Sequence, residues 1–411
     1  MSTVLVWSIT AGSIAGILFR PKAWREAVWA CLGSLLLVVL GLVSLSQALR
    51  AAAKGTDVYL FLTGMMLLSE LARQEGVFDW VASIAVGAAK GSGTRLFALV
   101  YATGIVVTVF LSNDATAVIL TPAVYAALRR ARAGALPYLL ICAFIANAAS
   151  FVLPISNPAN LVVYGKSIPP LWPWLRTFLA PSVVSIAATY IALRWYCRKE
   201  IRGAVEDGSE PAFLSIEGKR AAWGILVSGA ALIAASAFGL NLGVAALVTA
   251  AVTILVVVWK RPRAFREIAA GVSWSVLPLV AGLFVLVEAI DRSGALADAG
   301  RLLRACAAMP HPLGVLASSF GAAGLSNVMN NLPSGLLAGG ALRTVRLPWQ
   351  IRGAVLLGVD LGPNLSVAGS LATVLWLIAL RREGLYVSGW QFLKAGAVVM
   401  PSALILATLC L

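Results

Sequence analysis

GMMLLSELARQEG at 64–76 and GLFVLVEAIDRSG at 282–294 carry Gly64, Glu70 and Gly76, then Gly282, Glu288 and Gly294, with the same spacing and an offset of 218 residues. Two more pairs follow in the same order. Ser112 and Asn113 in LSNDATAVILTP (111–122) align with Ser326 and Asn327 in LSNVMNNLPSG (325–335) at an offset of 214, and PISNPAN (154–160) aligns with PNLSVAG (363–369) at 209. The chain therefore reads as two related halves, each with polar interruptions at corresponding places.

The sequence around these pairs is apolar. With 60% hydrophobic and 12% charged residues, the 411-residue chain has too little polar surface for a water-soluble fold and reads as an all-α polytopic membrane protein. The formal net charge of +15 sits in short loops between apolar runs, so it reports topology and no nucleic-acid partner. No basic residue precedes the first apolar run, and residues 3–19 read as a retained span. Five cysteines without a Cys-x-x-Cys pair call for neither a disulfide nor a metal site, and no cofactor is expected.

Spans of the first half (1–193) are expected at 3–19, 28–48, 56–73, 137–165 and 178–195, and those of the second half (221–411) at 221–238, 243–259, 272–290, 352–380 and 389–411. The stretches 97–128 and 314–342 are broken near their middles by polar residues and read as re-entrant helical hairpins. Such broken backbone is tolerated at membrane depth only where it lines a polar cavity. The spans 137–165 and 352–380 are broken too, at Pro154 to Asn160 and Gly362 to Ser366. Stretches 78–89 and 295–308 are too short to cross and suit the interface. Residues 194–220, with 11 charges in 27 positions, form the linker between halves. Five spans plus one hairpin per half is an odd number of crossings, so the halves must be inverted repeats with their breaks near the midplane. That is the pattern of alternating-access transporters. Placing the linker in the cytoplasm puts 21 Lys and Arg there against 10 outside, with both termini outside.

Past Arg352 at the edge of the 352–380 span, the hairpins and broken spans contain two charged residues, Asp114 and Asp360. Each would cost about 2.5–3.5 kcal/mol at the centre of a membrane helix, which argues for a function beyond helix capping. Glu70 and Glu288 differ, because Arg73 at i+3 and Arg292 at i+4 lie on their own helix faces and suit structural ion pairs. At the four breaks gather Ser112, Asn113, Thr116, Ser156, Asn157, Asn327, Asn330, Asn331, Asn364 and Ser366. Their hydroxyls and amides both donate and accept hydrogen bonds, which suits an uncharged polyhydroxyl solute or a partly dehydrated cation. A di- or tricarboxylate fits less well, since no Lys or Arg accompanies them. The bland alternative for any one of these residues is a helix cap.

FLSNDATAVILTP (110–122), FIANAASFVLPISNPANLVVYG (144–165), NNLPSGLLAG (330–339) and GVDLGPNLSVAGSLATVLW (358–376) resemble the signature segments of the arsenical pump membrane protein family, part of the ion transporter superfamily. Carboxylate symporters of that superfamily carry Ser-Asn-Thr at both hairpin tips, where this chain has SND and SNV. The resemblance implies export of arsenite and antimonite from a bacterial or archaeal cell by exchange for protons, across the cell (inner) membrane. A soluble arsenite-stimulated ATPase on the cytoplasmic face is a partner that the resemblance leaves open. Arsenite as the neutral trihydroxide offers three hydroxyls to the polar set above. Asp114 and Asp360, matched in the repeat alignment by Val328 and Phe151, are the expected proton-coupling residues. A sodium/proton antiporter or a carboxylate symporter of the same superfamily is the alternative.

An enzyme is not expected. The chain has one histidine, His311, and no HExxH, and KGSGTR at 90–95 lacks the Gly-Lys-Ser/Thr ending of a phosphate-binding loop and reads as a turn.

Overall fold

A computed structural model describes residues 2–21, 24–203, 213–259 and 261–411. Residues 204–212 of the expected linker lie outside them. The chain is helical, with no β-strand among the described residues. Among the described residues, five helical runs are long and apolar enough to cross a membrane: Gly93–Phe110, Leu171–Tyr196, Ile216–Ala237, Pro262–Arg292, which is interrupted at 272–275, and Gly389–Thr408. Leu35, Val39, Val248 and Val252 are each more than half exposed. Outward-facing apolar side chains in this number belong in lipid.

The two halves present the same succession of elements. In the first, Ser2–Phe19, Glu26–Val39, Leu45–Ala53, Thr56–Gln74 and Val77–Ala88 precede a helical hairpin, a broken span and the long helix Leu171–Tyr196. In the second, Ile216–Ala237, Leu242–Val258, Pro262–Gly271, Val276–Arg292 and Ala295–Ala307 precede a second hairpin, a second broken span and Gly389–Thr408. The expected span 28–48 is thus two helices. Gly41, at φ 69°, turns the chain after Val39, and Ser44 caps the next helix in a reciprocal box with Gln47.

The repeated glycines explain two shared features. Gly76 (φ 71°) and Gly294 (φ 85°) hold the left-handed conformation that ends one helix and redirects the chain into the short helices Val77–Ala88 and Ala295–Ala307. Gly64 and Gly282 sit where helices of opposite halves cross. Thr56–Gln74 packs on Leu242–Val258 and Val276–Arg292 packs on Glu26–Val39. A Cβ on Gly64 would strike the backbone of Ala246, and one on Gly282 would lie 2.9 Å from the backbone of Ala30. The packing is therefore exchanged between halves, and small residues let the backbones approach.

The glutamates of the same repeat are structural. Arg73 donates to Glu70 through Nε at 2.8 Å and Nη2 at 2.6 Å, and Gln74 adds a bond of 2.8 Å. Glu288 has Lys54 at 2.7 Å and Arg292 at 3.6 Å.

The remaining elements form a second group. The first hairpin comprises Gly93–Phe110 and 113–130, and the second His311–Met329 and Asn331–Thr344. Leu136–Ala148 and Pro158–Tyr164 make the first broken span, and Trp349–Leu361 and Leu371–Arg382 the second. The first arm of each hairpin packs on the first segment of its own broken span, and the second arm packs on the second segment of the other. Leu171–Tyr196 and Gly389–Thr408, the last helices of the halves, pack on each other. Phe144 stacks on Phe392 with ring centroids 4.9 Å apart, and both are buried beside Trp376 at the centre of this group.

Candidate functional site

Every helix that begins at a break is capped by a side chain of the break itself. Ser112 Oγ accepts from the Ala115 N–H at 3.1 Å, Asn157 Oδ1 from Ala159 at 2.9 Å, Asn330 Oδ1 from Leu332 at 3.4 Å and Ser370 Oγ from Ala372 at 3.1 Å. Orphan N–H groups inside apolar surroundings make such caps necessary.

These caps correct the register of the repeat. Ser112 and Asn330 are the caps of the second hairpin arms, so the halves align at 218 here, the same offset as Gly64 and Gly282. Asn113 then pairs with Asn331. The offset of 214 arises because the tripeptide Leu-Ser-Asn recurs about one helical turn earlier in the second hairpin, where Ser326 and Asn327 are still inside the first arm. At 218, Thr108 and Thr116 also fall on Ser326 and Ser334. Thr108 Oγ1 lies 2.8 Å from Thr116 Oγ1, and Ser326 Oγ lies 3.1 Å from Ser334 Oγ. Each hairpin is thus clasped below its tip by a buried hydroxyl pair. In the broken spans the offset becomes 213, because the second arm and the loop after it run 113–135 in one half and only 331–348 in the other. Asp360 is consequently matched by Asn147, and Asp114 by Leu332, in place of Phe151 and Val328.

Hydrogen bonds then run from one hairpin tip to the other. The Asn113 N–H donates to Ser156 O at 3.1 Å, and Ser156 Oγ donates to Val109 O at 3.0 Å, which docks the first tip on its broken span. Asn157 Nδ2 donates to Asp360 Oδ1 at 2.9 Å, and Asn147 Nδ2 to Asn364 Oδ1 at 3.0 Å, which joins the two broken spans. Asn364 Nδ2 in turn donates to Phe144 O at 3.0 Å. Asn327 Nδ2 donates to Gly362 O at 2.8 Å and its Oδ1 accepts from Ser366 Oγ at 2.6 Å, which docks the second tip. Asn147, Asn157, Asn160, Asn364 and Asp360 are all buried. A hydrogen bond to a buried carboxylate is worth about 1.5–3 kcal/mol, so the Asn157–Asp360 contact is among the strong ones here.

The expected site residues divide by what their polar atoms already do. Thr116, Ser156, Asn157 and Asn364 have both donor and acceptor engaged within the protein. Asn327 and Ser366 are bonded to each other at a partly exposed position. The Asn331 side chain, the Nδ2 groups of Asn113 and Asn330, and the carboxylate of Asp114 make no hydrogen bond among the described residues, so the free capacity lies at the two tips. Asn113 and Asn331 are matched residues, each opening a second arm. The arm after Asn113 loosens into a π-helix over Thr116–Leu120, a device that often marks functional sites.

Asn147, Asn160 and Ser150 were missed as members of this network. Asn160 Nδ2 donates to Ser150 O at 2.9 Å and to Leu153 O at 3.3 Å, holding the break loop in shape. Single polar residues within apolar helices carry little signal until the helices are crossed. An Asn in a span was the available hint.

Lipid-facing helices around two hairpins and two interrupted helices define a multi-pass membrane transporter. The chain belongs to the citrate transporter family, whose profile matches residues 13–357. It is similar over nearly its whole length to the arsenical pump membrane protein of Escherichia coli K12, at 26% identity over 96% of this chain and 95% of that one. The arsenical pump membrane protein of Yersinia enterocolitica is 27% identical over 82% and 81% of the two chains, and an uncharacterized transporter of Mycobacterium tuberculosis 26% over 99% and 97%. Among solved structures, the Alcanivorax borkumensis YdaH transporter shares the fold with a TM-score of 0.60 at 14% identity, covering 93% of this chain and 96% of that one.

Proposed function

We propose that this protein exports arsenite, and antimonite with it, as the neutral trihydroxide in exchange for protons across the cell membrane. The halves are inverted repeats, each of five spans and one re-entrant hairpin. The hairpins, broken spans and final helices move as a unit against the scaffold built from the exchanged helices of the two halves. Asn113 and Asn331 at the tips, with Asn330, Asn327, Ser366 and Ser112, bind the hydroxyls of the solute. Asp114 and Asp360 carry the coupling proton. Thr116, Ser156, Asn157 and Asn364 shape the site through bonds that hold the moving unit together.

One observation carries this reading: the network from tip to tip contains amides, hydroxyls and one carboxylate, Asp360, and no Lys or Arg bonds to any of them among the described residues. Such a lining favours a neutral, hydroxyl-rich solute over a tricarboxylate, whose three charges would need cationic partners. The names of the full-length relatives support the metalloid, whereas the family description names citrate. One inward proton per neutral solute moves one charge, and about 100 mV would supply about 2.3 kcal/mol, enough for a roughly 50-fold gradient.

The test is uptake into inside-out vesicles with an acid lumen, comparing arsenite, sodium and citrate. Arsenite accumulation that a protonophore abolishes supports the proposal. Citrate or sodium movement without arsenite replaces it with a carboxylate symporter or a cation antiporter.

A further inference from the structure

The first segments of the two broken spans, Leu136–Ala148 and Trp349–Leu361, are 13 residues each. Asn147 and Asp360 are their penultimate residues. Each is wholly buried, and each side chain is bonded to the other broken span, Asn147 to Asn364 and Asp360 to Asn157. Each also keeps one oxygen without a hydrogen-bond partner among the described residues, Oδ1 of Asn147 and Oδ2 of Asp360. Ser150 stands between them: its Oγ donates to Asn147 O at 2.8 Å, and its side chain lies beside the Asp360 carboxylate. Asn and Asp have the same shape and differ in whether the group can take up a proton.

We propose that Asn147 limits the crossing of the broken spans to one proton-carrying group: position 147 is the twin of position 360, and the amide there keeps the second seat neutral. The inference rests on the proton-exchange reading above. In that exchange a proton from the outer solution adds to the Asp360 carboxylate, giving the carboxylic acid, and leaves as a proton to the cytoplasm. No other bond changes. Of the elements packed against the two spans, the turn Asn113–Ala115 brings Asp114. The other charged side chains stand towards the ends of the spanning helices, Arg95, Arg343 and Lys394 among them, or on the short helix Ala295–Ala307. None of them is bonded to Asn147 or Asp360. A carboxylate at 147 would be as buried as Asp360, and the Asn364 amide, turned over from its bond to Phe144 O, would supply the donor that Asn157 supplies to Asp360.

The experiment compares Asp360→Asn, the double variant Asn147→Asp/Asp360→Asn, and Asn147→Asp alone in inside-out vesicles. Proton and arsenite fluxes are read together, and folding is checked by thermal melting in detergent. Asp360→Asn should lose uphill arsenite accumulation, and the double variant should regain it. Asn147→Asp alone should about double the protons moved per arsenite, because it adds a second relay carboxylate. A double variant that folds but stays uncoupled, or that fails to fold where Asp360→Asn folds, overturns the inference while leaving the exchange reading intact. Uphill transport retained by Asp360→Asn overturns the inference and leaves the coupling to Asp114; the exchange reading itself falls only if Asp114→Asn retains it as well.

Discussion

In the first hairpin the chain turns through Ser112 into an arm that carries Asp114 and loosens into a π-helix at Thr116–Leu120. In the second it turns through Asn330, held at φ 77°, into the regular helix Asn331–Thr344, with Leu332 where the first has its aspartate. The broken spans differ in the same way, with Asn147 in one and Asp360 in the other. What the halves share is skeleton: caps, clasping hydroxyls and glycine crossings at one register. What their hairpins and broken spans do not share is ionisable chemistry. Matched positions are thus candidates for holding a solute that must face both sides in turn, and unmatched acids are candidates for the step that needs a direction.

Asp360→Asn should break the asymmetry with the largest effect, erasing an accumulation of roughly 50-fold at about 100 mV while leaving downhill arsenite exchange measurable in vesicles. An unchanged accumulation ratio would transfer the coupling role to Asp114. Asn113→Ala and Asn331→Ala sharpen the shared part. Each removes an amide worth about 1–3 kcal/mol to the bound solute, so the half-saturating arsenite concentration should rise about 5- to 150-fold in both. A rise in only one would show that the tips bind unequally.

Gly64→Leu and Gly282→Leu test the exchanged scaffold. Either should cost about 1–3 kcal/mol by overpacking a backbone contact, read as a lower melting temperature in detergent. Equal melting of wild type and both variants would mean that these crossings can relax apart. The smallest effects are expected at the clasps, where Thr108→Val and Ser326→Ala should each cost about 0.5–1.5 kcal/mol. Both should melt earlier, with little change in arsenite affinity.

The all-helical, apolar character was legible in the chain. Helices and their connecting turns occupy 93–130 and 311–344, where hairpins were expected at 97–128 and 314–342, and 136–164 and 349–382, where broken spans were expected at 137–165 and 352–380. Long apolar runs interrupted by Asn, Ser, Pro and Gly leave few alternatives where unpaired backbone is so costly. The continuous span 28–48 was misread because hydropathy averages over Gly41, whose left-handed turn costs no polarity. Glu70 was legible as an ion pair because Arg73 lies within one turn. Lys54, the nearer partner of Glu288, was not, since it comes from 234 positions away.

By itself, the sequence determined that this is a helical membrane protein whose apolar runs carry polar breaks, because hydropathy, spacing and helix-breaking residues act locally along the chain. Only the tertiary structure decided which residues correspond and which touch. The repeat of Leu-Ser-Asn in the sequence pointed one turn away from the true match, and the capping geometry of Ser112 and Asn330 corrected it. Likewise the bond from Asn157 to Asp360 spans 203 positions, and no local preference specifies it. It exists because the crossing of two broken helices sets the Asn157 amide against a buried carboxylate that needs a donor.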